Sequence, residues 1–573
     1  MLPSYLNRRA FPLALFLLSL PRLAGATAAP VPAVFSDPSG NLMLHWAGVN
    51  GQYYRIETST DLATWTPLPG EYSGAGATFS PVVRAAGSGA EPKAFWRVVA
   101  ADRSFFSVSY PILPTLTAGM AIAPAGAGLT FPDSRVPVAY SITGGALPDG
   151  LVLDPVTGVI SGTPTVRGAA SATVRASNGL LTAEADVRFA VVEVVDLGIA
   201  DYSAGAKGAF ARNPWDMTYF AGRLYIGQGN SDNQDSPDPN AGPVKIVSLA
   251  PGVPGFRYEG ASGAAALPEE QIDVIRVIDG ALYIPGHDPR LAWAIRTLYK
   301  RTTASETWTQ IQSTNATVGD SWGVHNYEIT GFNSALFSSG YAYGRSTDGG
   351  QTWAAAGNST RCTALFAVGG ILYGATSAEG FGIDEYDPVA AKFNYRGDLQ
   401  ANHAAWFVPG IQGPNPYSNN AKIVRPIVVG ARAMYLAGYT SSDHQTATTD
   451  VYLARSLVRN AYDVVRTTPA GERPWDLLAR GSVAYLLTSR KTGSGAGEKF
   501  TVSIWQSTAD LTGWTLCYSF PGLSTFARSF EEVDGDFYLG LGTDDGSSST
   551  GAWDQSYTTG LRADSGRILW VRW

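Results

Sequence analysis

The sequence predicts an all-β chain: small β-sandwich modules first, then a closed β-propeller of seven blades, with six or eight as the nearest alternatives. Three observations predict it. The first is a phrase that recurs through the last two thirds of the chain, a small turn followed by a hydrophobic–Tyr/Phe–hydrophobic strand and usually a glycine. It stands at Gly222-Arg-Leu-Tyr-Ile-Gly227, Gly280-Ala-Leu-Tyr-Ile-Pro-Gly286, Ser334-Ala-Leu-Phe-Ser-Ser-Gly340 and Gly370-Ile-Leu-Tyr-Gly374. It returns at Ala431-Arg-Ala-Met-Tyr-Leu-Ala-Gly438, Gly481-Ser-Val-Ala-Tyr-Leu486 and Gly535-Asp-Phe-Tyr-Leu-Gly540. A period of about 50 residues built from short strands is that of one propeller blade per repeat. The second observation is composition: 64 Gly, 35 Pro, 11% aromatic and only 16% charged residues suit short strands joined by many turns and disfavour helical bundles. The third is the grammar of each repeat, which parses into four strands, A to D, with the phrase as strand B.

The elements follow in order. Arg8 and Arg9, the apolar stretch Ala10 to Leu20 and the small residues Ala24-Gly25-Ala26 have the three-part order of an export signal, so residues 1–26 are set apart from the fold. The mature protein is then expected to be secreted, periplasmic or on the cell surface. No apolar run reaches the roughly 18 residues of a membrane-spanning helix. A net charge of −7 offers no basic footprint for nucleic acid. Export permits disulfides, but Cys362 is expected in strand A of the fourth repeat and Cys517 in strand D of the sixth, beyond bridging distance. Two buried free thiols and a monomeric protein are the expectation.

Residues 31–103 alternate in the β manner, as in Leu42-Met-Leu-His-Trp46 and Phe95-Trp-Arg-Val-Val99, and read as a fibronectin-like sandwich. Residues 108–193 form a second module with a sharper signature. Leu147-Pro-Asp-Gly-Leu151, Asp154-Pro-Val-Thr-Gly158 and Ile160-Ser-Gly-Thr-Pro164 occur in order. This order resembles the "Putative Ig" family of bacterial surface proteins, which is related to dystroglycan-type, cadherin-like modules. Some of those relatives bind calcium through paired acids, which the resemblance would place at Asp149 and Asp154; both residues also suit the turns they occupy. The propeller is assigned to residues 195–573. Its last repeat reaches only a third strand, Arg567-Ile-Leu-Trp-Val-Arg-Trp573, so Val195-Asp-Leu-Gly-Ile199 is expected to supply the fourth and close the ring.

One motif within the propeller is sharp. Ser346-Thr-Asp-Gly-Gly-Gln-Thr-Trp353 resembles the Asp-box of sialidase-like (BNR) propellers, with Ser346, Asp348, Gly350, Thr352 and Trp353 at its defined positions. The resemblance implies a structural staple on the C–D hairpin. Looser copies lie at Thr307-Trp308 and between Ser507 and Trp514. The resemblance to sialidases ends there: an Arg-Ile-Pro motif is missing near the propeller's start, and Arg425-Pro426 lies in the fifth repeat.

Laying the blades over one another sends the B–C and D–A loops to one face and the A–B and C–D turns to the other. His287 beside Asp288, and His444, follow strand B, while His325 and His403 lie at the entry to strand A. The same entries carry Trp215-Asp216, Trp322, Trp406 and Trp475-Asp476, with Pro-Trp-Asp repeated at 214–216 and 474–476. These groups are expected near one mouth of the channel, where ligand sites of closed β-architectures sit. Pro-Trp-Asp also has a plainer meaning, an inherited blade-start device with Trp as core and Asp as turn cap. The loop Gly229–Asn240 places Asp232, Asp235 and Asp238 at every third position, a candidate calcium loop without the EF-hand order.

Three readings stay open. A carbohydrate or protein ligand would stack on Trp215, Trp322, Trp406 and Trp475 and meet His287 and His444. A glycoside hydrolase or polysaccharide lyase would use Asp216, Asp288 or Asp476 with His325 or His403. A ligand-free surface protein would use none of them. Binding or structure is favoured over catalysis, since no motif specifies a nucleophile or base.

Overall fold

The structure, a computed structural model, describes residues 32–573 apart from 85–93, 201–212, 230–242, 287–294, 315–325, 395–406, 410–420, 441–446, 543–562 and several shorter segments. The strands sort into two compact units, the sandwich modules and the propeller.

In the first sandwich, Leu42–Ala47 pairs with Ala33–Ser36, Thr78–Phe79 and Val82–Arg84, and a three-stranded sheet joins Thr66–Gly74, Gln52–Ser59 and Phe95–Ala101. Period-2 alternation turns Leu44, Trp46, Tyr54, Ile56, Tyr72 and Val98 into one core. His45 lies on the other face of its strand, exposed, with Nδ1 2.8 Å from Ser80 Oγ. In the second sandwich Asp154 Oδ1 accepts the backbone N–H groups of Val156 (2.8 Å) and Thr157 (2.9 Å), so the residue caps its turn. Gly158 takes the Tyr140 ring against its Cα, where a Cβ would sit 2.6 Å from the ring.

The propeller has seven blades: six are separate four-stranded antiparallel sheets, and the seventh is part of a seven-stranded sheet. Their innermost strands are Asp216–Phe220, Arg276–Ile278, Glu328–Phe332, Cys362–Val368, Ala421–Val429, Arg473–Arg480 and Ala527–Val533. The seventh blade has strands A to C at Ala527–Val533, Asp536–Leu541 and Arg567–Arg572. Its fourth strand is the far end of Thr182–Ile199, paired from Glu193↔Arg572 to Ile199↔Arg567. Early chain thus closes the ring, and no open edge is left there.

Each of the seven blade interfaces is a hydrophobic cluster, and strand B feeds two of them. Leu224 and Ile226 face blade 7 while Tyr225 faces blade 2. Blade 5 breaks this pattern. Its A–B turn is Gly430-Ala431, so Met434 takes the position held elsewhere by Tyr or Phe, and Tyr435 points back to blade 4. A slip of one residue flips the face. The glycine that ends the phrase also gains a reason. A Cβ at Gly227 would lie 2.5 Å from the Ile272 carbonyl oxygen, and one at Gly540 would lie 2.7 Å from Pro214. The entry to the next blade packs directly on the bare Cα.

Cys362 is a buried free thiol in strand A of blade 4. Cys517, in strand D of blade 6, is free but only half-buried, contrary to expectation, because strand D lies on the outer rim.

Candidate functional site

The Ser346–Trp353 turn joins strands C and D of blade 3 and is closed by its own side chains. Asp348 Oδ1 accepts from Ser346 Oγ (2.8 Å) and Thr352 N (2.9 Å), and Oδ2 accepts from Thr352 Oγ1 (2.5 Å). These bonds, led by those from Thr352, hold the Asp348 carboxyl down at about 2. Gly350 adopts φ +96° and donates its N–H to Ser346 Oγ (2.9 Å). Trp353 packs on Leu298 and Ile311 of blade 2. All five residues are occupied in folding. The same geometry recurs at Thr508-Ala-Asp510-Leu-Thr512, where Asp510 is likewise held at about 2 by its Thr508 and Thr512 bonds. It recurs again at Ser59-Thr-Asp61 in the first sandwich, where Asp61 caps Ala63 N (2.8 Å) and Thr64 N (2.7 Å). That copy went unread in the sequence, although Ser59-Thr-Asp-Leu-Ala-Thr-Trp65 spells it out.

The channel is built from the first residues of strand A. Counting five back from the A–B turn residues Ala221, Asn333, Gly430 and Gly481 reaches Asp216, Glu328, Arg425 and Asp476. Neighbouring innermost strands share no sheet, so their backbones need another link, and carboxylates supply it. Asp216 accepts from Met217 N (3.0 Å) and, in blade 2, from Ile275 N (2.8 Å). Asp476 accepts from Leu477 N (2.9 Å) and, in blade 7, from Phe530 N (3.3 Å). Glu531 accepts from Glu532 N (2.8 Å) and, in blade 1, from Tyr219 N (3.2 Å).

Guanidinium groups bind these acids together. Arg276 lies 2.8 Å from both Asp216 and Glu328. Arg480 pairs with Glu531 and Glu532. Arg425 reaches from blade 5 to Asp216 of blade 1 (2.9 Å) and Asp476 of blade 6 (3.8 Å), and donates to the Trp215 carbonyl. Its backbone is left-handed (φ +52°) at a bulge between Val424 and Ile427, a strained conformation that directs the side chain across the ring. A cavity of 620 Å³ runs along strand A toward the A–B turns; its lining begins at Asp216, Ile275, Arg425, Asp476 and Phe530.

Burial shifts the acids. It pushes Asp476 up to about 7, against Arg425 and with Asp216, and Glu531 up to about 7, against Arg480. A carboxyl whose folded pKa is raised favours the protonated chain, so its contribution is full below the unfolded value and is lost as pH rises through about 7. The melting temperature is therefore expected to fall from pH 5 to pH 8, by up to a few kcal/mol in stability, and to level off above. A melting temperature that rises over that range, or an Asp476→Asn variant with an unchanged profile, would show the charges to be compensated.

The expected site residues fare unequally. Asp216 and Asp476 do lie together, but every oxygen of both accepts a backbone N–H and Asp216 also meets two guanidiniums, so both are engaged in linking blades. Trp215 and Trp475 are only 7% and 6% exposed. Arg528 lies 4.1 Å over Trp215, and Phe526 stacks on Trp475 at 3.9 Å, so both rings are core, with the Asp as a clasp. The plainer meaning of Pro-Trp-Asp is the one these contacts fit. His287, Asp288, Trp322, His325, His403, Trp406, His444, Asp232, Asp235 and Asp238 lie outside the described residues. Arg276, Glu328, Arg425, Arg480 and Glu531 were not anticipated. Counting back from the A–B turn would have found Glu328 and Arg425.

At the loop-rich end several buried polar atoms have no hydrogen-bond partner among the described residues: both side-chain atoms of Asn213, Asn326 Oδ1, Ser339 Oγ, Thr363 Oγ1 and Trp475 Nε1. All belong to strand-A entries or to the end of strand B.

The "Putative Ig domain" family model matches residues 106–192. Among solved structures the chain is similar to YCF48 from Cyanidioschyzon merolae, with 8% identity and TM-score 0.37, over 66% of this chain and 98% of that one. It is also similar to a GH74 enzyme from Niastella koreensis, with 13% identity and TM-score 0.38, over 62% of this chain and 55% of that one. No curated protein matches the sequence.

Proposed function

We propose that the chain is an exported, monomeric binding protein in which sandwich modules carry a propeller that holds an extracellular carbohydrate or protein ligand on its loop-rich face. One observation carries this reading: the buried amide, hydroxyl and indole groups of Asn213, Asn326, Ser339, Thr363 and Trp475 at that end of the ring, which have atoms without a partner among the described residues. Buried polar atoms in native proteins have partners, and a hydroxyl-rich ligand supplies them. His287, Trp322, Trp406 and His444, which the order of strands along the sequence assigns to the same face, would extend the contact. The Ser346–Trp353 turn supports kinship with Asp-box propellers, in a structural role. Calcium, if used, would be held by Asp232, Asp235 and Asp238.

Catalysis is the second reading, and the part that Asp216 and Asp476 play in linking blades speaks against those two as its acid and base. The test is a glycan array with the mature chain, with and without EDTA, beside an assay for reducing or unsaturated ends on the same glycans. Saturable binding without new ends is the expected result. New ends would establish a hydrolase or lyase, and neither signal would leave a structural protein.

A further inference from the structure

The 620 Å³ cavity lies at the opposite end of the channel from the site proposed above, and its chemistry differs. We propose that this A–B end binds an organic ammonium cation, an alkyl amine or the lysine side chain of a peptide, with its methylenes along an apolar wall and its charge on the carboxylates of blade 7.

The walls argue for it. Val277, Val428, Leu478 and Val533 line the cavity, and Val277 is 47% exposed within the ring's opening. An exposed valine beside a channel gains from covering by methylenes. Tyr219, 39% exposed, is on the same lining and offers a ring face for a cation. The charged part of the lining is Asp216, Asp476, Glu531, Glu532 and Asp534 against Arg276, Arg425 and Arg480; with Asp476 and Glu531 pushed up to about 7, and so about half ionised at neutral pH, the surplus is about one negative charge.

No guanidinium is available to an incoming anion. Arg276 is held by Asp216 and Glu328, Arg425 by Asp216, Asp476 and the Trp215 carbonyl, and Arg480 by Glu531 and Glu532. Asp534 is exposed at the end of strand A, at φ +53°, and makes no hydrogen bond or ion pair within the described residues. An anion would therefore meet surplus negative charge, and a neutral ligand would leave that surplus uncompensated. A metal ion needs convergent ligands, and among the described residues no three His, Cys, Asp or Glu groups are placed to hold one. A cation on a flexible apolar stem fits what remains.

The test is calorimetric titration of the mature chain with spermidine and, separately, with a lysine-rich peptide, against 1,8-octanediol as an uncharged control. Saturable binding of spermidine, of the peptide or of both is expected, with no binding of the diol and weakening from 50 to 500 mM NaCl. Spermidine alone identifies a free amine and the peptide alone a protein partner. Asn tolerates the left-handed backbone at 534, so Asp534→Asn should fold; there and in Glu532→Gln, affinity should fall about twofold to fivefold each. No binding by either amine, equal binding of the diol, or unchanged affinity in the double variant at unchanged melting temperature would overturn the proposal. The glycan array is read at the other mouth, so the two outcomes are independent.

Discussion

Replacing Arg425 by alanine is expected to destabilise the propeller by about 3–5 kcal/mol, the usual cost of removing one partner from a buried ion pair. Among the described residues Arg425 is the one cation paired with Asp476 and one of two paired with Asp216, and its side chain is only 14% exposed. Its loss would leave a buried carboxylate uncompensated and remove a donor from the Trp215 carbonyl. Lysine should not rescue: one ammonium cannot span two carboxylates and a carbonyl as a planar fork does. Combining Arg425→Ala with Asp476→Asn should recover part of the loss, since the amide carries no charge to strand. Urea unfolding at pH 7 reads all three variants. A cost below about 1 kcal/mol for Arg425→Ala would mean that water, not the guanidinium, solvates these acids.

The same residue shows where reading the sequence works and where it stops. A seven-bladed ring and its closing strand are legible because they depend on period and alternation, which single residues cannot easily disturb. Tyr435 looks like another copy of the phrase, yet an extra residue after the turn sends it to the other interface, and only the pairing register reveals that. Asp216 and Asp476 look like paired acids at a channel mouth, a pattern catalysis and structure share. What separates the two is the neighbouring blade: Ile275 N and Phe530 N fill their oxygens, and that contact depends on ring geometry. Arg425-Pro426 carries no motif at all. Its role comes from a left-handed residue at a bulge, and sequence rules would rather place the residue before proline in an extended conformation.

A chain beginning at Ala190 is expected to melt cooperatively, whereas one beginning at Ala200 should lose the cooperative transition or melt far lower. The ten residues between them are the outer strand of blade 7. Val191 and Val192 are 2% and 0% exposed, and burial of each contributes about 1.5–3 kcal/mol. Val192 packs with Leu539 and Val571 of blade 7 and with Trp475 of blade 6, so its loss loosens an interface as well as a strand. Glu193 and Asp196 bind Arg572 (2.8 Å) and Arg567 (2.5 Å), which would face solvent unpaired. Strand C of blade 7 would become an open edge, and that edge lies where the ring's first and last blades meet, so a local loss becomes a failure of closure. The longer truncation controls for a second contribution. Leu116–Thr117 pairs in parallel with Val191–Val192, and Thr115 Oγ1 donates to the Cys517 carbonyl of blade 6 (2.6 Å), so this segment covers the closing strand's edge. Both truncations lack it, and the difference between them isolates the closing strand. Equal melting of the two would show that seven inner strands and their carboxylate clasps suffice to hold the ring.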